Sequence, residues 1–218
     1  MKQVLKGFKG FLFDLNGTMI DDMAYHVKAW TRILNDDLRA GLDYPAVKAQ
    51  MYGKNSELLV RVFGADRFTP EEMDNIGMQK ERAYQEAYRP ALKLIDGLPA
   101  LLNEARLAGI KMAIGSAAIP FNIDFVLDNL DIRAYFDTIV SADDVAVSKP
   151  NPEVYLVCAA QLGLAAADCV VFEDAPKGVE AAAAAGMKAI VLLTLHSRDE
   201  FDAYDNVLAF VNNYTELE

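Results

Sequence analysis

From Leu92 onward, short unbroken apolar runs alternate with longer stretches in which apolar residues return every three or four positions. The runs at 110–115, 138–141, 169–173, 188–193 and 207–211 predict strands. Several lack polar alternation, which fits strands buried on both faces of a parallel sheet. Between them the spacing predicts helices over 98–108, 120–130, 152–163 and 176–185, with Gly109, Gly163 and Gly186 as stop signals. One more apolar run, 8–13, precedes the series. The stretch from about 21 to about 90 is different: it holds no convincing strand and predicts several helices, among them 23–38 and 70–88. The expected fold class is α/β, a Rossmann-like doubly wound parallel sheet carrying an inserted all-helical domain. Residues 1–20 and 91–218 would form the α/β core, and 21–90 the helical insert. There is no internal repeat or low-complexity linker, and the alanine run 181–185 reads as a tightly packed helix face.

Composition sets limits on this picture. A chain of 218 residues, 53% of them hydrophobic, suffices for one substantial core with a smaller insert. No apolar run approaches the length of a membrane span, and the run from Phe8 is interrupted too soon, by Asp14, to serve as a signal segment. A cytoplasmic protein is expected, with no membrane partner. The two cysteines, Cys158 and Cys169, lack any zinc or redox spacing and are expected to be buried and reduced. A formal net charge of -11 argues against nucleic acid as a partner. It also requires that an anionic substrate be captured by local cations. No heptad or extended apolar stripe stands out, so a monomer is the default.

Chemistry collects at the strand ends. If the strands are parallel, their C-terminal ends carry Asp14, Ser116, Lys149 in the following loop, and the pair Glu173-Asp174. Open α/β sheets hold ligands outside the carboxyl ends of their strands. Singly, each residue has a plainer reading. Ser116 suits a helix N-cap or turn, Lys149 a surface position, and Glu173-Asp174 the start of the helix that opens near Pro176. Jointly, three carboxylates, a hydroxyl and an ammonium on one edge point to a site. All-oxygen carboxylate donors suit Mg²⁺, which keeps several waters and bridges to a substrate phosphate.

The ordered set Asp14-Leu15-Asn16-Gly17-Thr18, Ser116, Lys149-Pro150 and Glu173-Asp174-Ala175-Pro176-Lys177-Gly178 resembles the four motifs of the haloacid dehalogenase-like hydrolase superfamily. Tyr25-His26 with Ala29-Trp30, the helical insert, and Ala142-Asp143-Asp144-Val145 make it most similar to the β-phosphoglucomutase-like branch. The resemblance implies phosphoryl transfer to Asp14 through an aspartyl-phosphate. It implies Mg²⁺ held by Asp14, the Asn16 backbone carbonyl and Asp174, with Glu173 helping directly or through water. Lys149, Ser116 and nearby backbone N–H groups would offset phosphoryl charge. Thr18 and Ala117 fall in the matched motifs as substrate-binding positions. The insert would act as a cap or lid, with Gly53, Lys54, Asn55 and Lys80 reaching the non-reacting part of a small phosphorylated metabolite. His26 is either a structural histidine beside an aromatic ring or a proton carrier.

Two departures from the branch pattern matter. The substrate-specificity loop reads Gly53-Lys54-Asn55-Ser56-Glu57, without the arginine that grips a distal phosphate in β-phosphoglucomutases. Asn16 stands where the family places the carboxylate that handles protons, a contribution of about 10²–10⁴ in rate. Three explanations stay open for Asn16: a substitution that traps a phosphoenzyme; an enzyme whose leaving groups are acidic or whose proton carrier is another residue, such as His26; or a low-turnover binder of phosphorylated metabolites. The expected function is Mg²⁺-dependent hydrolysis of a small phosphorylated metabolite such as a sugar phosphate. A β-phosphoglucomutase-type isomerase is the alternative. Dehalogenase chemistry has no need of the Glu173-Asp174 pair.

Overall fold

Among the described residues six short strands form one all-parallel sheet: β1 (Gly10–Phe13), β2 (Lys111–Gly115), β3 (Thr138–Val140), β4 (Cys169–Glu173), β5 (Lys188–Leu192) and β6 (Val207–Val211). Their spatial order is β3-β2-β1-β4-β5-β6, so the chain winds outward to one side of β1 and then to the other. The order reverses at the β1/β4 boundary, where doubly wound sheets open a ligand crevice. The computed structural model describes residues 2–217; Met1 and Glu218, the outer bounds expected for the core, lie outside the described residues.

Chain contacts divide the protein into two compact units, Met1–Asp21 with Lys93–Glu218, and Asp22–Leu92. The second contains helices α1 (Met23–Arg32), α2 (Tyr44–Lys48), α3 (Asn55–Phe63) and α4 (Pro70–Tyr88). The first contains α5 (Leu98–Leu107), α6 (Pro120–Asn129), α7 (Glu153–Leu162) and α8 (Pro176–Ala184).

In the first unit every residue of β1 and β4 is buried, which is why both read as continuous apolar runs. Leu12, Val171, Ala189 and Val191 pack with Tyr155, Cys158 and Val179 on one face of the sheet. Residues of the opposite parity carry large rings. Phe13 and Phe172 stack with centroids 4.5 Å apart, and Phe172 meets Tyr214 at 5.8 Å. Each such fully buried ring contributes about 1.5–3 kcal/mol relative to an exposed one. The buried face of α8 is Gly178, Val179, Ala181 and Ala182; of the alanine run, Ala181, Ala182 and Ala185 pack inward while Ala183 and Ala184 are exposed.

In the second unit, Val27, Trp30, Ile33, Leu34, Val47, Leu58 and Leu59 form a separate core. The helix expected over 23–38 is α-helical only to Arg32; a π-helical turn, Ile33–Asp37, continues it. Thr69 begins α4 with a reciprocal cap, accepting from the Glu72 N–H at 3.2 Å while its own N–H donates to the Glu72 carboxylate at 2.8 Å. Among the described residues no helix is long and apolar enough to cross a membrane.

Both cysteines are free and buried. Burial pushes the Cys158 thiol up to about 12 and the Cys169 thiol up to about 11, so neither forms appreciable thiolate near neutrality. The native protein is therefore expected to leave both unmodified by a thiol reagent at pH 8 and to expose two reactive thiols in denaturant. Rapid native modification would contradict this packing.

Candidate active site

Strand register builds the site. Phe13 pairs with Phe172 on one side and with Ile114 on the other, so Asp14, Glu173 and Gly115-Ser116 leave the sheet side by side at its C-terminal edge. The Asp14 N–H continues the ladder, donating to the Phe172 carbonyl at 3.0 Å, and the Ser116 N–H donates to the Val140 carbonyl at 3.0 Å. Asp14, Ser116, Lys149, Glu173 and Asp174 are all buried.

Lys149 ties the cluster together. Its Nζ donates to Asp14 Oδ1 at 2.6 Å and to Glu173 Oε1 at 2.7 Å, and it lies 4.8 Å from the Tyr155 ring centroid. Burial by itself would lower the pKa of this ammonium. The Asp14 and Glu173 carboxylates override burial and hold it above its ordinary value, so Lys149 is a standing cation. Glu173 is held by four donors: Lys149 and the Tyr155 hydroxyl (2.9 Å) on Oε1, and the N–H groups of Asp174 (2.8 Å) and Ala175 (2.9 Å) on Oε2. Burial, reinforced by Glu173, raises the Tyr155 phenol and keeps it a donor. Gly178, in the first turn of α8, makes this placement possible, because a Cβ there would collide with the Glu173 carboxylate.

The loop from Asp14 to Thr18 is equally constrained. Gly17 has φ +76°, and the Asp174 carboxylate occupies the space a Cβ would need. Thr18 Oγ1 approaches Asp174 Oδ1 at 3.4 Å. Two side chains that were not anticipated from the sequence hold the loop's carbonyls: Thr194 Oγ1 donates to Gly17 O at 2.7 Å, and the Tyr214 hydroxyl donates to Thr18 O at 2.9 Å. Both come from beyond β5, and no local spacing links them to residues 14–18. Asn16 is half-buried and bridges to Ile20.

Among the described residues, Asp14, Glu173 and Asp174 each offer a carboxylate oxygen, and these oxygens lie within 4.8 Å of one another. Three carboxylates face one ammonium here, an imbalance that a divalent cation would correct. The donor set is all oxygen and fits a hard cation. Because Glu173 already accepts four hydrogen bonds, Asp14 and Asp174 are the better direct ligands. Beside them, Ser116, Ala117, Ser148 and Lys149 line a small cavity. Ser116 Oγ accepts from the Ala118 N–H at 3.1 Å, so it does serve a turn, but its hydroxyl proton can still be donated to a ligand.

The remaining candidates belong to the helical unit and gather in a network of their own. Lys80 Nζ lies 2.6 Å from His26 Nδ1 and donates to both Glu81 oxygens at 3.0 Å. Asn55 donates to Glu81 Oε1 at 2.7 Å. An ammonium can only donate, so His26 accepts at Nδ1 and presents Nε2–H to Asp22 Oδ2, 3.2 Å away. Tyr84 donates to the same Asp22 oxygen at 2.5 Å and stacks on the His26 ring at 3.8 Å. His26 thus packs against an aromatic ring, Tyr84, while engaging two charged groups. Lys54 precedes α3, where its N–H donates to Glu57 at 2.9 Å; Gly53, at φ +76°, makes the turn before it. Asp22, Glu81 and Tyr84 escaped the sequence reading because nothing local separates them from ordinary helix-face residues.

Comparison with known proteins agrees with this geometry. The profile of the haloacid dehalogenase-like hydrolases matches residues 8–186. Fructose-1-phosphate phosphatase YqaB of Escherichia coli is 32% identical over 190 residues, covering 84% of this chain and 95% of the relative. Hexitol phosphatase A of Escherichia coli is 33% identical over 210 residues, covering 95% of this chain and 93% of the relative. A solved β-phosphoglucomutase from Clostridium difficile superposes with a TM-score of 0.84 at 25% identity, covering 97% of this chain and 93% of that one. With the profile spanning most of the chain and the motif residues meeting at one sheet edge, the protein belongs to the haloacid dehalogenase-like hydrolase family.

Proposed function

We propose that the protein is a Mg²⁺-dependent phosphatase of small phosphorylated sugars, working through an aspartyl-phosphate on Asp14. The observation that carries this reading is the buried Lys149 ammonium, bonded to Asp14 at 2.6 Å within the same cluster as Glu173 and Asp174. The substrate class rests on relatives named for fructose 1-phosphate and hexitol phosphates. A cytoplasmic location is part of this proposal, because phosphorylated sugars are charged and do not leave the cytoplasm unaided.

Bound Mg²⁺, which Asp14, Asp174 and the Asn16 backbone carbonyl would hold with help from Glu173, would neutralise charge on the phosphoryl oxygens. The protein's own groups do the rest. Lys149 has three N–H donors; two are taken by Asp14 and Glu173, and the third suits a phosphoryl oxygen. The Ser116 hydroxyl and the Ala117 N–H supply further donors to that group. Asp14 attacks phosphorus in line while the sugar oxygen departs and takes a proton from water; a second water then cleaves the acyl phosphate, returning Asp14 and releasing phosphate. Asn16 can donate an amide hydrogen bond to the departing oxygen but no proton. A mutase must protect its phosphoenzyme from water while the sugar turns around, and this chain lacks both the second carboxylate and the loop arginine that would assist.

The test is phosphate release from fructose 1-phosphate, hexitol phosphates and β-glucose 1-phosphate. Release is expected with Mg²⁺, none with a chelator, and recovery when Mg²⁺ is restored. Conversion of β-glucose 1-phosphate to glucose 6-phosphate without phosphate release would make the protein a mutase instead.

A further inference from the structure

Ser148 carries a hydroxyl that the fold does not use. The residue is 8% exposed, and its Oγ is buried with no hydrogen-bond partner among the described residues. Its backbone is committed to the turn that follows, the carbonyl accepting from the Asn151 N–H at 3.0 Å. A buried hydroxyl without a partner is destabilising, and the few that native proteins retain call for a reason. The surroundings supply one. Ser148 lines the same small cavity as Ser116, Ala117 and Lys149, and Ala142 and Val145, also on its wall, offer no side-chain acceptor.

We propose that Ser148 is a further phosphate-binding residue, its hydroxyl donating to an oxygen of the tetrahedral phosphoryl group beside Lys149. This rests on the reading of the cluster as a phosphoryl site. Lys149 faces the Asp14 and Glu173 carboxylates, so it cannot turn all its donors to a phosphate. A neutral hydroxyl one residue earlier adds a donor without adding a charge. A hydrogen bond to a charged oxygen in a desolvated site corresponds to about 10–100-fold in affinity.

The experiment measures binding of inorganic phosphate in the presence of Mg²⁺, by calorimetry and by competitive inhibition, for the parent, Ser148→Ala and Ser148→Thr, with a thermal midpoint for each. Ser148→Ala is expected to weaken phosphate binding by about 10–100-fold and to raise KM in parallel. Its thermal midpoint should be unchanged or higher, because the substitution deletes an unsatisfied group. Ser148→Thr, which keeps the hydroxyl, should retain most of the affinity. A structural serine would behave oppositely, with a lower midpoint and unchanged phosphate affinity. Phosphate affinity within about twofold of the parent in a folded Ser148→Ala protein would overturn the inference. If the parent itself binds no phosphate with Mg²⁺ present, the phosphoryl-site reading has failed, an outcome separate from failure of Ser148 alone.

Discussion

Asp14→Asn is expected to abolish turnover, by at least about 10⁴-fold, and to leave the protein folded. The nucleophile is the one part of the proposed reaction that no neighbour can replace. Glu173 is immobilised by four hydrogen bonds, and the Asp174 carboxylate packs against Gly17. Stability should respond differently from activity. In the parent, three carboxylates crowd one ammonium, so removing one charge relieves repulsion, and the asparagine oxygen can still accept from Lys149. The midpoint without Mg²⁺ should therefore hold or rise. Stabilisation by Mg²⁺ should shrink, because ligand binding to the native state adds about 2.7 kcal/mol at one hundred times Kd and the variant loses a direct ligand. Phosphate release and thermal midpoints, each with and without Mg²⁺, check both halves. Undiminished turnover would place the nucleophile elsewhere. Collapse of the fold would make Asp14 a structural carboxylate.

The parts of this site that were legible in the sequence are those fixed by strand ends. β1 and β4 are buried on both faces, so their apolar runs stop visibly at Asp14 and at Glu173-Asp174, and parallel pairing then brings these residues together. Ser116 ends the β2 run in the same way, whereas Lys149 sits in the loop well beyond β3 and is legible from its Ser148-Lys149-Pro150 setting rather than from a strand end. What escaped is held by long-range contacts. Tyr155 reaches Glu173 from the first turn of α7, where it looks like any buried helix-face aromatic. Thr194 and Tyr214 grip backbone carbonyls, which carry no residue identity to read. In the helical unit, α2 is only five residues long, and α3 follows Lys54 rather than a usual capping residue, although Glu57 returning to the Lys54 N–H is a trace of a cap. The π-helical turn at Ile33–Asp37 has no local signature, so a single helix through 38 was the natural expectation.

Asn16→Asp is the expected gain of function, and its size should depend on the leaving group. An amide cannot give up or take up a proton, so in the parent the departing sugar oxygen must find one in water or on a more distant group. A carboxyl restored at this position would protonate that oxygen and later activate water against the phosphoenzyme, each part of a contribution of about 10²–10⁴ in rate. Turnover of sugar phosphates, whose alkoxides are poor leaving groups, should rise by that order. A nitrophenyl phosphate needs no proton on departure near neutral pH, so its phosphorylation step should change little. The two substrates separate proton transfer from a general improvement in binding or folding, which would raise both alike. The same logic predicts that, with the nitrophenyl substrate, the parent accumulates phosphoenzyme: a rapid burst close to one equivalent per chain, then slow release, with the burst vanishing in Asn16→Asp because the acyl phosphate no longer persists. Acid-quench measurement of the burst reads this directly. Equal turnover of a sugar phosphate by parent and variant would mean that another side chain already carries the proton, and that Asn16 serves the site through its backbone carbonyl alone.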